Sequence, residues 1–447
     1  MKEERIILEV VNKPPRSEWQ RICQRPVMER ASILTLVSSV LKEVKDSGED
    51  ALIEYSRRFD GFEGDTVIVS QEEISSGHEF VSAQLKSAIA VAQSNIEKFH
   101  AIQLPNSRLI ETMLGVKCWQ EFVAIEKIGL YIPGGTAPLF STVLMLGVPA
   151  RLAGCKELVL CTPPLKKEKS IALFGTELKI HPTISYVADL LKIDKVFCVG
   201  GAQAIAAMAY GTESVPKVYK IFGPGNQYVT AAKQVVASEG VAIDMPAGPS
   251  EVMILADESA VPEFVAADLL SQAEHGKDSQ AMLVTNSLDI VTRVKESVAS
   301  QLTTLERAEI AQSSLFNSKA IILDSTQDMF EFANIYAAEH LIVALKDADG
   351  SSRYINNAGS VFIGNFSPES VGDYASGTNH TLPTNSFARA WSGVTVQSFM
   401  KSITYQQLSR DGLKGIAAVV EEMALAENLH AHARAVSIRM QSQYLEE

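Results

Sequence analysis

Lys195-Val-Phe-Cys-Val199 is a short apolar run, Gly200-Gly201 follows it, and Ala202–Tyr210 is spaced as a helix. Val218-Tyr-Lys-Ile-Phe222, Gly223-Pro224-Gly225 and Asn226–Ala237 then repeat the same order. A strand that ends in glycines and opens directly into a helix is half of a βαβ unit, and such units build parallel sheets. The pattern extends in both directions. Upstream, Gly129–Ile132 reads as a strand, Pro133-Gly134-Gly135 as a turn, and the run to Leu152 as a helix. Glu157–Cys161 is a strand and Ile184–Leu191 a helix; downstream, Val241–Asp244 is another strand. Alternation sustained this long predicts an α/β fold with a doubly wound parallel sheet.

A Pro/Gly junction, Met245-Pro246-Ala247-Gly248-Pro249, interrupts the alternation. It resumes with strands at Val252–Ala256, Ala281–Thr285 and Lys319–Leu323, so two Rossmann-like lobes are expected. Nearer the N-terminus, Ile33, Leu36, Val37, Val40, Leu41 and Val44 recur at helical spacing. Gly48 breaks that helix, and Asp50 can cap a second one through Phe59. Thr66–Val69 is a strand candidate, Ser70 and Glu73 form a capping box, and Leu85, Ile89, Ala92, Ile96 and Phe99 make an apolar stripe. The expected organisation is an N-terminal arm (1–32), a first α/β lobe (33–130 with 250–394), a second α/β lobe (131–249) and a helical C-terminal segment (395–447). Residues 364–393 read as a long loop rich in Gly, Pro, Asn and Ser, and loops of that length in compact chains are usually functional.

With 447 residues and 46% hydrophobic side chains, the chain can bury a large core without disulfides. A net charge of −13 and the lack of any Lys/Arg cluster argue against a nucleic-acid or anionic-membrane partner. The five cysteines are odd in number and form no Cys-x-x-Cys, which suits free thiols in a reducing compartment. The charged start of the chain does not resemble a signal peptide, and no apolar run of about 18 residues occurs. The expected location is the cytoplasm.

Three settings carry candidate chemistry. In Ser271-Gln272-Ala273-Glu274-His275-Gly276, Gln272 and His275 share one helical face, where an amide oxygen and an imidazole can ligate a metal. A capped helix end explains the same spacing. Ala338-Glu339-His340 places two titratable groups side by side, able to divide acid and base tasks, or simply to end a helix. Gly372-Asp373-Tyr374 and Asn379-His380 lie in the long loop, where an aspartate often caps its own backbone. In Glu427-Asn-Leu-His430-Ala-His432, spacing alone pairs Glu427 with His430. The turns Gly134-Gly135, Gly200-Gly201 and Gly223-Pro224-Gly225-Asn226 can offer backbone N–H groups to phosphate, although none matches G-x-G-x-x-G.

Taken in order, these stretches resemble the histidinol dehydrogenase family. The resemblance rests on Gly129-Leu-Tyr-Ile-Pro-Gly-Gly135, Phe140-Ser-Thr-Val-Leu-Met145, Val199-Gly-Gly-Ala-Gln-Ala204 and Ile221-Phe-Gly-Pro-Gly-Asn226. It continues through Ile243-Asp-Met-Pro-Ala-Gly-Pro-Ser-Glu251, Ser271–Gly276, Ala338-Glu-His340, Pro368-Glu-Ser-Val-Gly-Asp-Tyr374 and Ala431-His432. It covers nearly the whole chain and is weakest in the first hundred or so residues and in 162–185.

The resemblance implies a homodimer, with one zinc ion per subunit, that oxidises L-histidinol to L-histidine through the aldehyde with two NAD, the last step of histidine biosynthesis. It implies metal ligands Gln272, His275, Asp373 and His432, the last supplied by the partner subunit, in preference to His430. It makes Glu339 and His340 the acid/base pair. Substrate contacts would come from Ser250, Gln272, His275, His340, Asp373, Glu427 and His432. NAD contacts would come from Tyr131, Gln203 and Asn226 in the second lobe, and the C-terminal segment would complete the partner's site. Departures from the family pattern are Asn428, the run Ser376-Gly377-Thr378-Asn379 and a longer surface loop around 164–182. Competing readings are an NAD-dependent dehydrogenase for another small polar alcohol, a zinc hydrolase with Glu339 as base, and a non-catalytic metal-binding protein.

Overall fold

The computed structural model describes residues 8–25, 30–134, 138–193, 195–246 and 248–441. Gly135 of the Gly134-Gly135 turn, Ala247 of the junction and part of the N-terminal arm lie outside them. The chain divides into two compact units, Met1–Gln103 with Ile125–Phe399, and Leu104–Ala124 with Met400–Glu447.

The first unit contains two six-stranded sheets. Sheet I holds β1 (Glu9–Asn12), β10 (Glu251–Ala256), β11 (Gln280–Thr285), β12 (Lys319–Ile322), β13 (His340–Ala344) and β14 (Ser360–Ile363). Its spatial order is β1-β12-β11-β10-β13-β14, parallel throughout. Sheet II holds β2 (Ile68–Val69), β5 (Lys127–Tyr131), β6 (Glu157–Thr162), β7 (Lys195–Cys198), β8 (Lys220–Phe222) and β9 (Ala242–Ile243). Its order is β2-β7-β6-β5-β8-β9, with only β2 antiparallel. In both sheets the chain starts a lobe at a central strand, winds outward one way, then returns to wind the other way. That is the doubly wound order.

The apolar runs explain why the strands are buried on both faces. Along β10, Val252, Ile254 and Ala256 pack with helices Pro262–Ala273 and Leu288–Leu302, while Met253 and Leu255 pack with helix Thr326–Tyr336 and with Trp19 and Ile22. The capping box at Ser70 and Glu73 is present, and Gly48 turns the helix Arg30–Tyr55 with φ 55°.

Of segment 33–130, which the sequence groups with the lobe of 250–394, residues 104–124 belong to the second unit and the rest builds onto sheet II. β2 pairs with β7, β5 is central, and the helix Arg30–Tyr55 lies on helices Gly201–Tyr210 and Gln227–Ser238. The apolar stripe of Val37, Val40, Leu41 and Val44 needs a helical partner, and the alanine-rich Gly201–Tyr210 allows close approach. The N-terminal arm also supplies a strand, β1, to the edge of sheet I. The region around 164–182, read as loop, contains a helix, Lys167–Phe174.

The second unit is built from β3 (Ile110–Met113), β4 (Val116–Ala124) and β15 (Met400–Leu408), an antiparallel sheet in the order β15-β4-β3, and from helices Arg410–Ala426 and His430–Ser437. The C-terminal segment is helical beyond Ser409 but opens on a strand. Ile403, Thr404 and Tyr405 are residue types that favour strands, and Tyr405 stacks on Trp119 of β4 at 5.3 Å. Gly115 has φ 78°, and a Cβ there would lie 2.2 Å from Ser409 Oγ, so this crossing accepts only glycine.

Candidate active site

A cavity of about 930 Å³ opens in the first unit. Sheet II meets it with the C-terminal ends of its strands: Pro133 and Gly134 follow β5, Gly223–Asn226 follow β8, and Asp244 follows β9. Sheet I meets it with the opposite ends: Ser250 precedes β10, Ser279 precedes β11, and Glu339 precedes β13 while His340 begins it.

On the sheet I side, helix Thr326–Tyr336 stops at Ala337, a non-glycine residue with φ 54°, and β13 starts three residues later. That turn puts Glu339 and His340 at the buried head of a strand rather than on an exposed helix end; they are 6% and 3% exposed. Glu339 Oε2 accepts the Glu251 backbone N–H at 2.9 Å and lies 3.8 Å from His340 Nδ1. His340 Nε2 is 3.2 Å from Asp373 Oδ1, on the short helix Glu369–Tyr374 inside the long loop. His340 Nδ1 is buried and has no hydrogen-bond partner.

Burial raises the Glu339 proton affinity above the usual carboxylate range. Burial works against a charged His340, but Glu339, Asp373 and Glu369 outweigh it and raise the imidazole too. Burial would also raise Asp373; the bond from His340 and the neighbouring His340, His380 and His275 hold it below the usual range. Burial keeps His275 and His380 below the ordinary histidine value, which favours neutral rings. The set therefore combines neutral imidazoles, an ionised Asp373 and a carboxylate–imidazole pair of high proton affinity.

The structure brings Ser250, His275, Glu339, His340, Asp373 and Asn226 to the cavity wall. Gln272 lies in helix Pro262–Ala273, fully buried, with both amide atoms lacking a partner. Asn226 caps helix Gln227–Ser238 by accepting the N–H groups of Tyr228 and Val229. Tyr131 and Gln203 meet at the start of helix Gly201–Tyr210. The Tyr131 hydroxyl accepts the Gly201 N–H at 3.1 Å, and the Gln203 amide donates to Asp60 at 2.9 Å. Glu427 and His432 are exposed residues of the second unit. Glu427 ends one helix and His430 begins the next, with Asn428 at φ 59° between them, so the single-helix spacing that paired Glu427 with His430 has no basis.

His380, singled out from the sequence with Asn379 in the long loop, bridges Asp373 O at 2.9 Å and Thr142 Oγ1 at 3.1 Å. Sequence reasoning gave no role to two further groups here. Glu369 is buried, accepts from Ser271 Oγ at 2.6 Å, and is pushed up to about 7 by burial. Its spacing of four from Asp373 was the available signal. Lys233 is buried against Asp244 and donates to Gly223 O at 2.8 Å.

Two doubly wound sheets around one cavity, with a buried carboxylate–imidazole pair on its wall, give the build of an α/β enzyme. Residues 23–440 match the family model described as histidinol dehydrogenase. A histidinol dehydrogenase of Bacteroides fragilis is 54% identical over 97% of this chain and 99% of its own length. One of Aliivibrio fischeri is 50% identical over 95% of this chain and 94% of its own. The crystal structure of histidinol dehydrogenase from Elizabethkingia anophelis superposes with a TM-score of 0.92 at 51% identity, covering 98% of each chain. The chain belongs to the histidinol dehydrogenase family.

Proposed function

We propose that this chain oxidises L-histidinol to L-histidine through L-histidinaldehyde, reducing two NAD. The observation that carries the reading is the buried Glu339–His340 pair, tied to Asp373 at the cavity wall, in a chain whose family match covers residues 23–440. NAD, when bound, supplies the hydride acceptor. Tyr131, Gln203 and Asn226 would hold it along the C-terminal edge of sheet II, in the lobe of residues 131–249.

In the first oxidation the alcohol loses a hydride and a proton. His340, whose proton affinity is raised by Glu339, Asp373 and Glu369, is a strong acceptor for that proton once it has given its own to solvent. In the second, water adds to the aldehyde and the hydrate loses a second hydride. Glu339, raised by burial and 3.8 Å from His340, is the base that takes the proton from the water, after His340 has released the first proton to solvent. Ser250 contacts and orients the substrate.

The donor set fits a divalent metal. Gln272 has a buried amide without a partner, His275 is held neutral, and Asp373 is held ionised. Among the described residues no group of three or more His, Cys, Asp and Glu stands ready to hold an ion. The proposed set needs none, since it draws one ligand from glutamine and another, the partner subunit's His432, from a second chain. Zinc, when bound there, supplies a charged template for the substrate's imidazole and amine. The partner subunit's Glu427 would pair with the substrate amine. This makes the working enzyme a homodimer. The cysteines are all free, which fits a cytoplasmic setting, and among the described residues no helix is long and apolar enough to cross a membrane.

The test is NADH formed per L-histidinol consumed, with zinc and after chelation. Two per substrate, lost on chelation and restored by zinc, is the expected result. One would mean a single-step alcohol dehydrogenase, and none from metal-loaded dimer would overturn the reading. Glu339→Gln should retain alcohol oxidation and lose about a hundredfold in the aldehyde step. Normal aldehyde oxidation by that variant would reject the division of labour.

A further inference from the structure

Arg25 lies in the N-terminal arm, far in sequence from every residue of the acid/base pair, yet it lines the cavity. Its guanidinium has five N–H donors, and all five are used. Nε donates to Glu251 Oε2 at 2.8 Å, and Nη2 donates to Glu251 Oε1 at 2.7 Å and to Tyr336 O at 2.9 Å. Nη1 donates to Cys23 O at 3.0 Å and to Ser386 Oγ at 2.7 Å. The group also lies 3.6 Å over the Tyr336 ring. Side-chain exposures of 12% and 2% make the Arg25–Glu251 ion pair a buried one.

What these bonds hold is more telling than their number. Glu251 is the residue whose backbone N–H fixes the Glu339 carboxylate. Tyr336 immediately precedes Ala337, the residue at φ 54° that turns the chain from helix into β13. Ser386, at φ 62°, follows Asn385, at φ 54°, and the Asn385 N–H donates to Glu251 Oε1 at 3.1 Å. Ser386 Oγ also donates to Tyr336 O at 2.9 Å. Three non-glycine residues in the left-handed region thus surround one guanidinium. Such conformations persist only where neighbours hold them.

We infer that Arg25 is a positioning residue for the Glu339–His340 pair. It fixes the Glu251 amide that holds Glu339 and the Tyr336–Ala337 turn that delivers both residues to the cavity. The inference rests on the proposed role of that pair. Lysine cannot replace arginine, because one ammonium offers three donors from a single point and cannot bridge both Glu251 oxygens and two backbone carbonyls.

The experiment uses the full-length chain with its metal: wild type, Arg25→Ala, Arg25→Lys and Glu251→Gln, each assayed with L-histidinol and with L-histidinaldehyde. A misplaced catalytic group costs about a hundredfold in kcat, and the KM for NAD should stay within about threefold. Arg25→Lys should recover less than about a tenth of the wild-type kcat. Added guanidinium, at millimolar concentration, should raise kcat of Arg25→Ala at least about tenfold, where ethylammonium does not. Glu251→Gln keeps the shape and loses the ion pair, so kcat should fall at least about tenfold, and it decides the matter if Arg25→Ala does not fold. Variants with wild-type kcat, a loss expressed wholly in the KM for NAD, or equal rescue by ethylammonium would overturn the inference. Wild-type enzyme that fails to turn over histidinol would instead remove the functional reading beneath it.

Discussion

Sheets I and II have the same winding order and face the same cavity, but they turn opposite ends toward it. Sheet II follows the usual rule for open α/β sheets, with a crevice outside the carboxyl ends of its strands, where β5 and β8 part. What it offers there is mostly backbone: glycine turns and helix starts. In sheet I the corresponding crevice lies between the ends of β10 and β13, and Asp257 bridges it. Its carboxylate accepts the Lys346 N–H at 2.9 Å across that gap and the Ser259 N–H at 2.9 Å within its own turn. The cavity therefore uses the amino ends of sheet I, and what they offer is ionisable side chains. Winding order decides where a crevice can form; the residues at the strand ends decide which crevice is used and for what.

If sheet I carries proton chemistry and sheet II holds a dinucleotide, changes on each side should fail differently. The largest effect is expected for His340→Asn, a loss of about a thousandfold or more in both oxidations, with NAD affinity unchanged by equilibrium titration. An NAD affinity that fell with the rate would blur the distinction between the sheets. Next is Lys233→Met, in the helix Gln227–Ser238 beside sheet II, which leaves the buried Asp244 without its ion-pair partner and should cost about 3 kcal/mol in urea unfolding. A smaller effect concerns Asp60, buried beside the start of helix Gly201–Tyr210 and pushed up to about 6 by burial, despite bonds from Gly200 and Gln203. Its folded form binds a proton more tightly than its unfolded form, so stability falls as pH rises from the ordinary carboxylate value to about 6. Asp60→Asn should remove that slope and gain up to about 2 kcal/mol at pH 7; an unchanged slope would reject the assignment. The smallest change is Asn226→Ala, about 1 kcal/mol for the lost cap, together with a raised KM for NAD. Loss of the cap alone would show that Asn226 serves only its helix.

The strand-turn-helix units of sheet II were legible because each is local: Lys195–Val199 with its glycines, or Asn226 ahead of its helix. The capping box at Ser70 was legible for the same reason. β15 was not, because it is a mixed-polarity segment that becomes a strand only against β4, hundreds of residues away. The adjacency of Glu339 and His340 was plain, but their burial was not, since it depends on a left-handed alanine that no propensity predicts. Arg25 was invisible as a functional residue. One arginine in an arm carries no pattern until Glu251, Tyr336 and Ser386 arrive around it.

The pairing of β4 with β15 has a consequence for the making of the protein. At about 5–20 residues per second, a ribosome emits β4 tens of seconds before β15 exists. Throughout that interval, in the nascent chain, Val116–Ala124 has β3 on one side and an unpaired strand edge on the other. β1 waits longer still for β12. The emerging polypeptide therefore carries two open edges through most of its translation, and truncated chains ending before Met400 should be the form that chaperones retain and proteases clear.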